Sequence, residues 1–303
     1  MSLSASSVYA LAVLAAVLWG ASPVLIKHGL NRGADARQAV LVALAVDAAV
    51  VWTVLVAMNG VSVLDTLATV DPATLALFAV TGALGTGLGR FVGLVGLDRL
   101  GASVYSAAIS VRPLFATALG VAALGEHLTP TSALGVAVLV CGLIVLERAR
   151  SHGGGERGGW QRRDLALPLV AAATFAASRV LRRSGLQTAD VSVLLAVATN
   201  ELVGLLTLAV VLGATGGRSV FAPPRASLPP FLASGVCLAG GMVAVFSALA
   251  APAGRVVVVD PLVATVPLFT LAFASAFLDT ERVTRHVALG TVGVVVGAVL
   301  VVW

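Results

Sequence analysis

Ser22-Pro23-Val24-Leu25-Ile26-Lys27-His28-Gly29-Leu30 is matched without a gap by Ser178-Arg179-Val180-Leu181-Arg182-Arg183-Ser184-Gly185-Leu186. The match is not isolated. Pro113-Leu114-Phe115 recurs as Pro267-Leu268-Phe269. Glu126-His127-Leu128-Thr129, followed by Ala133-Leu134-Gly135 and Gly142, recurs as Glu281-Arg282-Val283-Thr284, Ala288-Leu289-Gly290 and Gly297. The copies stand 154 to 156 residues apart. Single matches are cheap in a chain rich in Ala, Val and Leu. Ordered blocks at one offset are not, and they mark a duplication.

The duplicated blocks lie in or beside long apolar runs. A helix needs about 20 mainly apolar residues to cross a bilayer, and ten runs qualify: 7–29, 36–58, 72–97, 103–124, 130–147, 165–184, 190–213, 228–251, 255–278 and 285–303. Turn formers and charges separate them, as at Asn31-Arg32-Gly33, Asp71-Pro72, Thr129-Pro130 and Pro223-Pro224. The stretch 148–164, rich in glycine and arginine, reads as a flexible connection between two units, 1–147 and 165–303. Five spans per unit is an odd number, so the second unit enters the membrane from the opposite side. The predicted fold is therefore an all-α membrane protein of ten transmembrane helices, arranged as two inverted five-helix repeats. Such repeats suit alternating access, with a solute site near the midplane between them. The first run lacks the positive n-region of a cleaved signal peptide and has a counterpart in mid-chain, so it reads as a retained helix.

Composition agrees with the bilayer. Of 303 residues 59% are hydrophobic and 11% charged, with mean hydropathy +1.03. A soluble domain carries roughly 25% charged residues. A pI near 10 raises nucleic acid as a partner. Yet the basic residues sit in short connections beside apolar spans, with few aromatics among them, so no nucleic-acid partner is expected. Cys141 and Cys237 lie inside spans, form no metal spacing, and are expected to pack as small buried hydrophobes. No cofactor is expected.

Several features then converge on one family. They are the early Leu18-Trp19-Gly20, the paired five-helix halves, a proline in the fourth span of each half (Pro113, Pro267), and the blocks 125–129 and 281–284 before the last span of each half. In this ordered set the chain resembles the EamA-type members of the drug/metabolite transporter superfamily along nearly its whole length. It departs at Phe175-Ala176, where a Trp-Gly-like pair would stand, and at Arg179, where an apolar residue would. The resemblance implies an exporter or importer of metabolites such as amino acids and does not fix which; the expectation is a secondary-active carrier of the plasma membrane, with export favoured.

Charges inside spans are the candidate site. Asp47, Glu201 and Asp260 face Arg90, Arg112 and Arg179 in the inventory, and each costs about 2.5–3.5 kcal/mol at mid-helix on insertion scales. Such groups turn inward, either to make a charge-balanced cavity for a zwitterion or ion, or to pair structurally with one another. Asp47, Arg90, Arg112 and Glu201 are deep by counting. Asp260 is shallower, and Arg179 is close enough to a helix end to snorkel. Asp47 and Glu201 differ by 154, the repeat's own offset, and Thr53 with Thr207 keeps it. An acid held between burial and a neighbouring arginine can exchange a proton, so proton or ion coupling is an expectation, beside simple neutralisation of Arg90 and Arg112. Trp19 and Tyr105, with Ser106, are candidates to line the cavity. Tyr105 fits an interface anchor equally well, and Trp52 reads as packing. Asn200 reads as a helix–helix hydrogen bond. Span three carries Gly82, Gly85, Gly87, Gly89, Gly93 and Gly96, spaced for close helix approach. No strand precedes them, so they are not a nucleotide loop.

An intramembrane enzyme is disfavoured: His28, His127, His152 and His286 lie at span ends or in connections, and no HExxH or paired aspartate motif falls within a span. A non-transporting scaffold or receptor, the alternative, would need an exposed domain or long ordered loop, and the longest connection is short. The expected partners are a small solute, the lipid bilayer and a coupling proton or ion, with the chain acting singly or as a homodimer. Orientation divides the arguments. Thirteen lysines and arginines (Lys27, Arg32, Arg37, Arg99, Arg148, Arg150, Arg157, Arg162, Arg163, Arg218, Arg225, Arg282, Arg285) flank connections after odd-numbered spans, against three (Arg182, Arg183, Arg255) on the other side. The positive-inside rule then puts both termini outside the cytoplasm, whereas the resemblance puts both inside.

Overall fold

The computed structural model describes residues 3–60, 62–150, 161–277 and 285–303. Most of the polar connection 148–164, and the block Glu281-Arg282-Val283-Thr284, lie outside the described residues. Ten helices are long and apolar enough to cross a membrane: α1 (Ala5–Leu30), α2 (Ala36–Asn59), α3 (Pro72–Gly101), α4 (Val104–Leu124), α5 (Pro130–Ala149), α6 (Arg162–Thr188), α7 (Val193–Gly216), α8 (Arg225–Ala250), α9 (Val256–Phe277) and α10 (Arg285–Val302). A short amphipathic helix, Ser62–Thr69, fills the connection between α2 and α3, which the sequence reading left as a break. The expected helices all form. The largest difference is α6, which begins three residues earlier than expected and runs four further.

Proline chemistry shapes two of them. A proline lacks the N–H that would close its turn, so a helix favours it in its first turn and breaks before it. α4 is interrupted between Ile109 and Arg112, ahead of Pro113, and α9 between Val263 and Val266, ahead of Pro267. The two breaks fall one repeat offset apart. Within α3, Gly82–Gly89 winds as a π-helix. The backbone of Asn200 abuts Gly82 and the side chain of Ser178 abuts Gly85, so only glycine admits α7 and α6 this closely.

The helices pair in a regular pattern. α1 packs on α8 and α9, and α6 on α3 and α4; α2 packs on α8, and α7 on α3; α2 meets α7, and α5 meets α10. Exchanging the two halves leaves this pattern unchanged. The α5–α10 seam closes on glycines from both sides, Gly142 against the backbone of Val294 and Gly297 against that of Leu139. Leu206, Val210, Leu289 and Val292 lie exposed on the outer surface, where lipid replaces water. Cys141 is among the exposed residues and Cys237 is half-buried, so neither is the fully buried packing residue expected of it. A cysteine on a lipid-facing surface loses nothing, because hydrocarbon solvates the thiol as well as a core would.

A charged cavity between the halves

A cavity of about 350 Å³ opens where α1, α2, α3 and α4 face α6 and α8. Its walls carry Trp19, Tyr105 and four arginines: Arg90, Arg112, Arg179 and Arg182. Phe175, Leu238 and Met242 form an apolar patch between them. Tyr105 fits because Gly93 and Gly96 of α3 leave room for its ring. Trp19 is held by its indole N–H, which donates to the Leu238 carbonyl at 3.3 Å. Leu94 and Leu97 also border a second cavity, of about 570 Å³, near the ends of α2, α3 and α7 that face the inter-half connection. A third, of about 250 Å³, holds Ser106 and both break prolines and shares Trp19 and Arg112 with the central one.

Two polar clusters stand behind the walls. In the first, Asp260, 1% exposed, lies 3.1 Å from Arg179 Nε and 3.6 Å from Arg112 Nε. The Arg179 guanidinium is also 5.8 Å from the Trp19 ring centre, within cation–π range. One expectation fails here. Arg179 does not snorkel: it is 5% exposed, buried against Asp260. Asp260 lies in the first turns of α9, in a segment whose residues are all buried. The physical reason is that a buried carboxylate stabilises a buried guanidinium more than the helix-end interface, several residues away, can.

In the second cluster Arg182 Nε donates to Asn200 Oδ1 at 3.1 Å and its Nη2 to Thr86 Oγ1 at 3.3 Å. Asn200 Nδ2 donates in turn to Thr86 Oγ1 at 3.0 Å and to Glu201 Oε1 at 2.7 Å. Thr81 Oγ1 donates to Asn200 Oδ1 at 2.7 Å, and Ser178 Oγ to the Thr81 carbonyl at 2.8 Å. Asn200 thus joins α3, α6 and α7, as a helix–helix bond should. Glu201 and Asp47 are both fully buried. Asp47 adjoins Glu201, with Arg90 and Arg182 as the cations acting on it. Neither Asp47 oxygen has a hydrogen-bond donor among the described residues. Trp52 packs as expected, donating to the Ala198 carbonyl at 3.0 Å.

Of the residues singled out from sequence, Trp19, Arg90, Tyr105 and Arg112 line the cavity, and Asp47, Glu201 and Asp260 stand one layer behind it. Arg182 and Arg183 were assigned to the membrane surface and counted as topology signals. Both are buried, at 6% and 8% exposed, because α6 continues past the boundary drawn for it. The signal was present: Arg182 follows Arg179 by three, which sets both on one helix face.

On the side of the termini the halves are joined by a polar clasp. Glu126, in the α4–α5 connection, accepts the amides of Val256 at 2.7 Å and Val257 at 2.8 Å, and so caps α9. Arg255 donates to the carbonyl of His127 across the same seam, while Arg183, within the second half, donates to the carbonyls of Leu249, Ala251 and Pro252 at the end of α8.

Residues 6–148 match the sequence profile of the EamA-like transporter family. No protein of curated function matches the chain. Among solved structures the chain is similar to one described only as a crystal structure of a protein, with a TM-score of 0.77, 17% identity, and 98% of this chain and 96% of the other covered. At that identity the likeness is one of fold. The profile runs from the first helix through the fifth, so the first half of this multi-pass membrane protein is similar to the EamA-like transporter family, and the likeness of fold runs the length of the chain.

Proposed function

We propose that this chain is a secondary-active carrier that binds a small organic metabolite in the central cavity and moves it by alternating access, with export the favoured direction. The halves 1–147 and 165–303 act as inverted units joined by 148–164. The observation that carries the reading is the cavity itself. Helices of both halves wall it, and arginines from within the spans line it beside an apolar patch, which is how small-solute sites are built. The symmetric pairing of helices supports two equivalent packings of the halves.

Coupling is assigned to Asp47 and Glu201. The two carboxyls adjoin in the buried bundle, and neither Asp47 oxygen has a hydrogen-bond donor among the described residues. Thr86 and Asn200 connect Glu201 to Arg182 at the cavity wall, so a change of charge at the pair reaches the solute site. The test is counterflow of labelled metabolites in proteoliposomes, followed across a pH series for the parent, Asp47→Asn and Glu201→Gln. Coupling requires that one amide variant loses pH-driven accumulation and retains downhill exchange. Wild-type pH dependence in both variants makes the carboxyls structural. Absence of any exchange by the parent sinks the carrier reading.

A further inference from the structure

From the charge around this cavity we infer that its solute is an organic dianion, with two acidic groups separated by a small apolar body. The inference rests on the carrier reading and adds the solute class. Four guanidiniums line the cavity and no carboxylate does. With all three buried acids ionised, the four arginines still carry one excess positive charge.

The arginines stand in two groups. In one, Arg112 and Arg179 share the single carboxylate of Asp260, and Arg179 Nη1 is buried without an acceptor among the described residues. In the other, Arg90 and Arg182 act on Asp47 and Glu201, and no carboxylate lies within ion-pair distance of Arg90 among the described residues. The first group keeps an excess positive charge, and in the second the guanidiniums stand at the cavity wall with both carboxyls one layer behind. An ammonium group would meet guanidiniums at both ends of the cavity, which disfavours zwitterions and cations. Guanidiniums take carboxylate and phosphate equally well through paired N–H donors. Phe175, Leu238 and Met242 cover the body of the solute.

The experiment uses the purified full chain in detergent and titrates a matched series by thermal stabilisation and tryptophan fluorescence. The series is phthalate, its monoamide and its diamide, with succinate and phenyl phosphate as a second dicarboxylate and a phosphate dianion, and phenylalanine as zwitterion. The dianions are expected to bind roughly 10- to 100-fold tighter than the diamide, the monoamide between them. Phthalate against phenyl phosphate separates carboxylate from phosphate preference. Arg90→Gln is the informative variant because Arg90 makes no ion pair among the described residues, and it should weaken dianion binding about tenfold or more. The series needs no variant, so a misfolded one does not decide the matter. The inference is overturned if no dianion binds, if the diamide or phenylalanine binds as tightly, or if a correctly folded Arg90→Gln binds dianions unchanged. Exchange of a zwitterion in proteoliposomes, without dianion binding, overturns the anion and leaves the carrier standing. A dianion that binds but is never exchanged does the reverse.

Discussion

Glu126 offers the sharpest test of how the two halves are held. Its carboxylate accepts two backbone amides at the start of α9, at 2.7 and 2.8 Å, from a connection in the other half. Glu126→Gln preserves shape but replaces one accepting oxygen with an NH₂ group, which must face an amide donor. One charge-assisted bond is lost and one N–H is left without an acceptor. Charge-assisted bonds contribute about 1.5–3 kcal/mol and helix caps about 0.5–2 kcal/mol. Glu126 is only half-buried, and water recovers part of the loss. The expected cost is therefore about 1–2 kcal/mol. If the clasp closes the termini side in one of two access states, that cost raises the open-to-closed ratio roughly 5- to 30-fold. The assay is the rate at which a water-soluble maleimide labels Ala251→Cys, beside the clasp and buried, in a chain with Cys141 and Cys237 replaced by alanine. Glu126→Gln should speed labelling by that factor and lower the melting midpoint. An unchanged rate together with an unchanged midpoint would refute the clasp.

Arg112→Lys should fold and express normally yet transport an anionic solute about tenfold less well or worse, because the ammonium keeps the charge and loses the fork; normal flux in proteoliposomes removes the bidentate role. Asp260→Asn leaves buried Arg179 and half-buried Arg112 without their counter-charge and should lower stability by about 3–5 kcal/mol in equilibrium unfolding. Adding Arg179→Gln to it should cost much less than Arg179→Gln alone, and simple additivity of the two would show that the pair is not coupled. For orientation, the charge bias requires the inter-half connection to be cytoplasmic. A cysteine placed at Gly154 in the cysteine-free chain should then resist a membrane-impermeant reagent on intact cells. Labelling there reverses the assignment in favour of termini inside.

The sequence alone determined the membrane class, the ten helices and where each lies. Hydrocarbon cannot satisfy backbone polar groups, so every spanning segment must be a self-contained helix, and its apolar length is written locally in the chain. The same thermodynamics flagged Asp47, Arg90, Arg112, Glu201 and Asp260, since a charge within such a run has to be turned inward. The two prolines and the shared offset of Asp47 and Glu201 were also legible, because duplication leaves them at fixed spacing. What only the tertiary structure decided is which charges meet. Arg179 finds Asp260 across 81 residues of chain, and Arg182 reaches Asn200 and Thr86 on two other helices. Both arginines lay near a predicted helix end, where local reasoning favours snorkelling toward water. The partners that hold them inside come from remote segments, and no local pattern encodes a contact whose energy exists only once the helices are packed.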